Sequence, residues 1–293
     1  MLIITSDVDN KGKLNYVVLT QKKGVNAGHF TGKSLNHREN KRAHPMSNQV
    51  AIITGSSRGI GAATARLMAT QGYAIVLNYQ HSAGPAEALK LDICAMGVPC
   101  IAIKADVSEE DQVEALFAQA DALGPLGVLV NNAGILAQQT GLRDISAERF
   151  RHILNVNVLS CFLCTKAAAT RMSTKEGGMG GTIVNVSSTA AKSGAPNEYT
   201  DYAASKGAMD TFTRGAALEL ASEGIRVNAV RPALIDTEMH ASGGEPDRVK
   251  RLQAKIPLQR PGTVQEVAEA IVWLATDKSS YVTGSFIDAS GGL

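Results

Sequence analysis

Short, largely apolar runs alternate with helix-forming segments over most of this 293-residue chain. The runs, rich in β-branched and other apolar residues, cover 50–54, 73–78, 98–103, 126–131, 182–187, 225–230 and 284–288. The helix-forming segments cover 59–71, 84–96, 109–123, 147–172, 202–223 and 263–275. Strands that are buried on both faces and joined by crossover helices are typical of parallel sheets. The alternation therefore predicts an α/β fold with a doubly wound parallel sheet of seven strands, forming a single domain over residues 47–293.

The first predicted strand leads into a glycine-rich turn and then a helix. This junction reads TGSSRGIG from Thr54 to Gly61. Glycines at such a junction let the backbone approach a pyrophosphate at a helix N-terminus, as in Rossmann-type dinucleotide sites. The spacing is G-x-x-x-G-x-G, which differs from the common G-x-G-x-x-G.

The same turn, from Gly55 to Gly59, also fits G-x-S-x-G, the nucleophile elbow of serine hydrolases. A hydrolase needs an acid and then a histidine later in the chain. The last histidine is His240, which has no recognisable strand-end context, and the elbow leaves Gly61 unexplained. A serine hydrolase is therefore the weaker alternative.

Two later strands end in polar side chains. The fourth predicted strand runs into the segment NNAG, from Asn131 to Gly134, and the fifth ends at Ser187 and Ser188. Open α/β sheets bind ligands at the carboxyl ends of their strands. Asn side chains both donate and accept hydrogen bonds, so they can join adjacent strand ends. We expect the ligand site at this edge of the sheet.

A tyrosine and a lysine follow with helical spacing, at Tyr202 and Lys206. Side chains four residues apart share one helix face, about 5–6 Å from each other. A nearby ammonium favours the phenolate, so we expect Lys206 to lower the pKa of Tyr202 from its usual value of about 10. Such a phenol can exchange protons near neutral pH. Because isolated Tyr–Lys pairs are common on solvated helices, this pair indicates a catalytic site only together with the motifs that precede it.

Taken in order, the glycine turn, the NNAG segment, the serine at a strand end and Tyr202-x-x-x-Lys206 resemble the short-chain dehydrogenase/reductase family. The segment from Tyr281 to Gly292 is similar to the C-terminal strand of that family, and the resemblance extends over residues 49–293. It implies an oxidoreductase that uses a nicotinamide cofactor to interconvert a secondary alcohol and a ketone or aldehyde. The substrate would be a small molecule of the sugar, polyol or ketoacyl type.

The resemblance also implies a role for four residues. Tyr202 would be the general acid/base, and Lys206 would lower its pKa and bind the nicotinamide ribose. Ser188 would hold the substrate oxygen, and Asn157 would support a water relay to the lysine. The interval from Ser188 to Tyr202 is one residue longer than is usual in the family, so Ser187 stays open as the alternative.

The second predicted strand indicates the cofactor preference. A site for NAD needs an acid about twenty residues beyond the glycine turn, to accept from the ribose 2′-hydroxyl. The strand ends at Asn78, and no acid follows before Glu87. Arg58 lies inside the turn, and a guanidinium suits a phosphate better than a hydroxyl. Both observations favour NADP(H) over NAD.

Motif and resemblance together imply a set of cofactor-binding residues. Asp106 would meet the adenine edge and Thr237 the carboxamide, although Ala233 replaces the family's usual glycine after Pro232. The full set is Thr54, Gly55, Ser57, Arg58, Gly59, Ile60, Gly61, Asn78, Asp106, Val107, Asn132, Ala133, Gly134, Tyr202, Lys206, Pro232, Ile235 and Thr237. We expect residues 236–260, which interrupt the alternation with glycines and prolines, to form a lid.

The rival class is a catalytically idle dinucleotide-binding protein that acts as a sensor or scaffold. All four presumed catalytic residues are present, which disfavours that class. The long helices 147–172 and 202–223 carry apolar positions such as Phe162 and Phe212, and with the resemblance they favour a homo-oligomer, a tetramer.

Residues 1–46 differ from the rest of the chain, with eight Lys or Arg against three Asp or Glu and a net charge of +5. We expect a basic, disordered extension with one short strand around 17–19. The remaining residues carry a net charge of −3, which argues against nucleic-acid binding. The sequence has no uninterrupted run of 18 apolar residues and no ordered signal-peptide regions, so we expect no membrane span and a cytoplasmic location.

Four cysteines are present, and Cys161 and Cys164 form a C-x-x-C pair inside an apolar segment. No second pair or histidine stands at zinc spacing, so buried thiols are expected and no metal site. Sparse cysteines also suit a reducing compartment.

Overall fold

The computed structural model describes residues 2–8, 14–20 and 49–293. The chain divides into two compact units, Met1–Ala43 and His44–Leu293. In the first unit, β1 (Leu2–Val8) pairs antiparallel with β2 (Leu14–Thr20). Two strands thus stand where a disordered extension with one short strand was expected, because both segments are rich in β-forming residues. The rest of the expected disorder lies outside the described residues.

The second unit contains a seven-stranded parallel sheet, which confirms the predicted Rossmann-type doubly wound fold. Its strand order is β5-β4-β3-β6-β7-β8-β9. The order reverses between β3 and β6, and such a switch point opens a crevice at the carboxyl edge of the sheet. The strands are β3 (Val50–Ile53), β4 (Ala74–Tyr79), β5 (Cys100–Lys104), β6 (Leu126–Asn131), β7 (Gly181–Val186), β8 (Ile225–Pro232) and β9 (Phe286–Ala289).

Helices cover both faces of this sheet, close to the predicted segments. They are α1 (Gly59–Thr70), α2 (Ala83–Ala95), α3 (Glu110–Asp121), α4 (Ala147–Leu154), α5 (Ser160–Met172), α6 (Ala190–Ser193), α7 (Thr200–Leu220), α8 (Met239–Ser242), α9 (Arg248–Leu252) and α10 (Val264–Ala275). Short 3-10 turns lie at Leu142–Asp144, Ala221–Glu223, Gln253–Lys255 and Asp277–Ser279. A π-helical turn, Asn155–Leu159, joins α4 to α5.

Successive side chains of each central strand enter two different hydrophobic clusters. Val50 and Ile52 of β3 pack in the cluster that also contains Phe117 of α3. Ala51 and Ile53 pack in the cluster that contains Met68 of α1. Because successive side chains of a strand point to opposite faces, both faces of the sheet are core, as the largely apolar strands predict.

One helical stretch in the described part of the chain, Ala147–Met172, is long and apolar enough to cross a membrane, with a mean hydropathy of 1.4. Leu163, Cys164 and Met172 of this stretch lie in the core cluster between the sheet and α3. A core helix passes the same length and composition test as a membrane span, and the packing identifies this stretch as a core helix.

Buried amides connect the two strands that lead to the ligand edge. Asn131 at the end of β6 and Asn185 of β7 are register partners. Asn131 Nδ2 donates to Asn185 Oδ1 at 2.9 Å and to Thr165 Oγ1 of α5 at 3.1 Å. Asn185 Nδ2 donates to Thr213 Oγ1 of α7 at 2.9 Å. These side chains fix β6 and β7 to the helices that carry the site residues.

Candidate active site

The loops after β3 and β6 are joined at the switch point by side chains of the predicted set. Thr54 Oγ1 accepts from the backbone N–H groups of Asn132 and Ala133, at 3.0 and 2.9 Å. Asn132 Nδ2 donates to the carbonyl oxygens of Thr54 and Gly55, at 2.9 and 3.0 Å. An asparagine therefore joins two strand ends, as its position in the sequence predicts.

The glycines of the turn have two different functions. Gly55 has φ +59°, and a Cβ there would lie 2.9 Å from Ala133 Cα. A Cβ on Gly61 would lie 2.6 Å from Asn132 Nδ2. Both glycines therefore let the two loops approach each other. Gly59 has φ +57°, and among the described residues nothing lies within 4 Å of its Cβ position, so it borders open space.

The N-terminus of α1 fits a dinucleotide phosphate. Arg58 is the N-cap residue, and within the described residues no side chain caps this helix and no acid lies in its first turn. Backbone N–H groups at a helix N-terminus beside an open glycine attract an anion. Ser57, the nucleophile of the hydrolase alternative, makes no hydrogen bond to a histidine or acid among the described residues. The phosphate interpretation is the one that the geometry supports.

Asn78 is placed differently from the prediction. It is buried at the end of β4, where Nδ2 donates to the Ala105 carbonyl oxygen at 2.9 Å and Oδ1 accepts from Gly55 N at 3.2 Å. Its side chain therefore holds the glycine turn in place and is not free for the cofactor ribose. The exposed side chain nearby is that of Gln80, whose Nε2 donates to Asp106 Oδ2 at 2.5 Å. Gln80 was not predicted, because the strand was expected to end at Asn78 and continues in the structure to Tyr79.

Asp106 and Val107 follow β5 at the same edge. Asp106 Oδ1 accepts from the N–H and the hydroxyl of Ser108, at 2.9 and 2.6 Å, which fixes this carboxylate. The Val107 side chain belongs to the core, so any cofactor contact there falls to its main chain.

Arg58 pairs with a residue that the sequence did not single out. Its guanidinium donates to Glu238 Oε2 at 3.1 Å, and the two side chains are 56% and 73% exposed. Glu238 begins the predicted lid, so the expected phosphate ligand contacts the lid in this structure. The pair joins residues 180 positions apart, which no local pattern reveals.

The two candidate serines have different partners. The Ser188 side chain acts on the Tyr202 phenol and opposes the rise of its pKa, and its hydroxyl donates to the Pro232 carbonyl oxygen at 3.4 Å. The Ser187 hydroxyl points into the protein and donates to Asp210 Oδ1 at 2.7 Å. The structure thus brings Ser188 to the tyrosine and gives Ser187 a buried partner.

The pKa of Tyr202 differs in direction from the prediction. Burial raises the pKa of Tyr202 to about 12, while the hydrogen bond from Ser188 opposes that rise. Burial lowers the pKa of Lys206 to about 8. Lys206 Nζ donates to the Val186 carbonyl oxygen at 2.8 Å and lies 5.6 Å from the centroid of the tyrosine ring. Burial therefore outweighs the expected lowering of the Tyr202 pKa by Lys206, whose ammonium donates to a backbone carbonyl.

Asn157 lies in the π-helical turn and is fully buried. Its Oδ1 accepts from Ile135 N at 2.8 Å, and its Nδ2 donates to the Ile135 carbonyl oxygen and to Ser205 Oγ, at 3.1 and 3.0 Å. Both amide hydrogens are used, so the side chain holds the loop after β6 against α7. A Cβ on Gly134 would lie 3.2 Å from Asn157 Oδ1 and 3.5 Å from Lys206 Nζ.

The last predicted cofactor residues lie at the end of β8 and in the loop after it. The Pro232 carbonyl oxygen accepts from Ser188 Oγ at 3.4 Å and from Thr189 N at 3.0 Å. Ile235 is buried and forms an isolated bridge with Gly262. Thr237 is half-buried at the start of the lid.

Ion pairs hold the lid to the segment that precedes α7. Arg248 of α9 pairs with Glu198 and, at 3.0 Å, with Glu245. Tyr199 OH donates to the Gly243 carbonyl oxygen at 3.3 Å. This cluster was not predicted, because its members lie up to 50 residues apart in the sequence.

The cysteines are free, and Cys161 and Cys164 are buried as expected. Among the described residues, no three His, Cys, Asp or Glu side chains are grouped to hold a metal ion.

The family comparisons agree with this geometry. A family model described as enoyl-(acyl carrier protein) reductase matches residues 55–293. The uncharacterised oxidoreductase YgfF of Escherichia coli K12 is 54% identical over 83% of this chain and 99% of its own. A 3-oxoacyl-[acyl-carrier-protein] reductase of Synechocystis is 39% identical over 85% of this chain and 98% of its own.

A solved structure is also similar. The blue fluorescent protein from a metagenomic library, in complex with NADPH, superposes with a TM-score of 0.76 at 36% identity, covering 83% of this chain and 97% of its own. Together with the Tyr202–Lys206 pair, the glycine turn and the seven-stranded sheet, these matches show that the chain belongs to the short-chain dehydrogenase/reductase family and is an NAD(P)-dependent oxidoreductase.

Proposed function

We propose that the protein is an NADP(H)-dependent oxidoreductase that interconverts a secondary alcohol and a ketone or aldehyde of the sugar, polyol or ketoacyl type. The observation that carries this proposal is the Tyr202 phenol, which Ser188 influences and whose ring centroid lies 5.6 Å from Lys206 Nζ. That hydroxyl pair lies on the same edge of the sheet as the uncapped N-terminus of α1. A carbonyl oxygen bound there would meet a donor that fixes it and an acid that protonates it.

Carbonyl reduction adds a hydride to carbon and a proton to oxygen. The nicotinamide cofactor supplies or accepts the hydride when bound. Tyr202 donates the proton to the substrate oxygen, and its pKa of about 12 keeps the phenol protonated at neutral pH. Ser188 donates a second hydrogen bond to that oxygen. Lys206, with a pKa of about 8, is mostly protonated at neutral pH and provides the charge that stabilises the phenolate after the transfer.

The cofactor preference rests on this chain's own residues. The N–H groups at the start of α1 would bind the pyrophosphate, and Arg58 would bind the 2′-phosphate. The end of β4 presents Tyr79 and Gln80, so no carboxylate there would repel a phosphate or accept from a ribose hydroxyl. Arg58 must exchange Glu238 for the phosphate, which is feasible because exposed ion pairs are weak.

We also propose a homotetramer. Large apolar side chains are exposed on the long helices. Leu159, just before α5, is 39% exposed, and Phe162 on α5 is 45% exposed. Leu218 on α7 is 83% exposed. Exposed apolar side chains on two long helices support association with further copies. Light scattering at micromolar concentration tests this, and a stable monomer mass would contradict it.

A panel of ketones, aldehydes, sugars and acyl thioesters, followed by the absorbance of NADPH, tests the proposed function. We expect turnover with at least one class. Tyr202→Phe is the matched control, because it removes only the proton-transferring hydroxyl. NADPH binding without turnover across the whole panel would instead support a sensor or scaffold.

A further inference from the structure

A buried carboxylate lies directly behind the proposed catalytic residues. Asp210 is one helical turn after Lys206 on α7 and is 6% exposed. Its Oδ1 accepts from Ser187 Oγ at 2.7 Å, and its Oδ2 accepts from Arg231 Nε at 2.8 Å. The guanidinium NH2 of Arg231 also lies 2.8 Å from Oδ2. One side chain therefore joins α7 to the end of β7, which leads to Ser188, and to the end of β8.

Asp210 differs from the neighbouring carboxylate in that its charge acts on Lys206. Arg231 has a second carboxylate, Asp288, at 3.3 Å, and Asp288 is also paired with Lys192 at 2.8 Å. Among the described residues that influence Lys206, Asp210 is the carboxylate. Without the charge of Asp210, Arg231 would keep one carboxylate partner, Asp288. Lys206 would then have no carboxylate among the described residues that influence it.

The other groups around Lys206 are uncharged in the pH range where Lys206 titrates. They are the Cys161 thiol of α5, the Tyr202 phenol, the Val186 carbonyl oxygen and Met209 Sδ, which lies 4.0 Å from Nζ. Burial raises the pKa of Cys161 to about 12 and that of Tyr202 also to about 12. The Asp210 carboxylate is thus the charge that opposes the burial of the ammonium in that range.

We propose that Asp210 is a positioning residue of the reaction: its two oxygens hold the Ser187–Ser188 strand end and Arg231, and its charge holds the Lys206 ammonium in the site. This inference rests on the proposed function, because it assigns Asp210 a part in the work of Ser188 and Lys206. Stability alone is a weak explanation for the residue, since a buried ion pair often adds little over apolar side chains of the same shape.

The main test is Asp210→Asn, which keeps the acceptor for Ser187 and removes the charge. In cofactor-free protein carrying ¹⁵N-labelled lysine, the titration of Lys206 is followed by NMR and assigned with Lys206→Met. We expect the Lys206 midpoint to fall by about one pH unit, the size expected for losing a close opposite charge. Glu219→Gln is the control, because it removes a carboxylate from an exposed position on the same helix. An unchanged midpoint in folded Asp210→Asn protein would overturn the proposal.

Kinetics of a substrate found in the panel provide the second readout. Asp210→Asn should lower kcat for carbonyl reduction about ten-fold or more and move the alkaline limb of the pH profile to lower pH. Ser187→Ala removes one hydrogen bond and keeps the charge, so it should lower kcat while the limb stays in place. Should Asp210→Asn not fold, a Ser187→Ala variant with wild-type kcat would still overturn the strand-end role. The NMR titration needs no substrate, so a failed substrate panel and a failed role of Asp210 give different results.

Discussion

The Arg58–Glu238 pair makes cofactor discrimination depend on a lid residue. If the 2′-phosphate must displace Glu238, neutralising that acid should tighten NADPH binding and leave NADH binding unchanged. The perturbation is Glu238→Gln, which keeps the side-chain shape. Both partners are more than half exposed, and an exposed pair is worth about 0.2–1 kcal/mol. The expected gain in NADPH affinity is therefore about 1.5- to 5-fold.

Arg58 itself should have the larger effect. A charge-assisted contact to a phosphate is worth about 1.5–3 kcal/mol. The competing pair with Glu238 reduces that gain, so we expect wild-type protein to prefer NADPH over NADH by about ten-fold. Arg58→Ala should remove most of this preference while hardly changing NADH binding.

Titration of cofactor fluorescence against wild type, the two single variants and the double variant measures both effects. In the Arg58→Ala background, Glu238→Gln should have no effect on NADPH affinity, since the pair is already broken. Glu245→Gln, a lid acid paired with Arg248 and Arg251, is the control for a general change in lid charge. The reasoning is refuted if Arg58→Ala keeps the wild-type discrimination, or if Glu238→Gln changes NADH and NADPH affinity equally.

Three further predictions concern the catalytic residues. Tyr202→Phe should lose nearly all turnover while NADPH affinity stays within a few-fold, as measured by steady-state kinetics and fluorescence titration; wild-type kcat would contradict the assignment. Ser188→Ala should lower kcat far more than Ser187→Ala, because the Ser188 hydroxyl meets the phenol; equal or reversed losses would transfer the role to Ser187. The rate of carbonyl reduction should fall as the pH rises through about 8. The Lys206 ammonium, with its pKa of about 8, loses its proton there, while Tyr202 is still protonated. A pH–rate profile that is flat to pH 10 would exclude this role of the Lys206 charge.

The sequence predicted the sheet well because burial on both faces leaves a strong pattern. Largely apolar strands and helix-forming intervals repeat along residues 49–293, and each sheet strand lies close to its predicted position. The π-helical turn at Asn155–Leu159 was not predicted, since an extra residue in a helical turn leaves no clear mark in the hydrophobic period.

The parts of the site that could not be predicted depend on contacts between distant residues. Asn78 stands at a strand end, where the sequence cannot distinguish a ligand-facing side chain from one that turns inward to Ala105. The pairing of Arg58 with Glu238 joins the first loop of the domain to the lid. The raised pKa of Tyr202 comes from burial, which the i, i+4 spacing with Lys206 does not reveal.

The paired amides of Asn131 and Asn185 have a consequence for how the chain finds its fold. A slip of β7 by one residue against β6 would turn Asn185 to the opposite face and leave buried amide groups without partners. Each such unsatisfied group costs about 1–3 kcal/mol, a large fraction of the net stability of a domain. Apolar side chains in these places would tolerate the slip, so the two asparagines act as a check on strand alignment. Because the same strands lead to Asn132 and Ser188, the correct alignment of β6 and β7 also places these residues of the site.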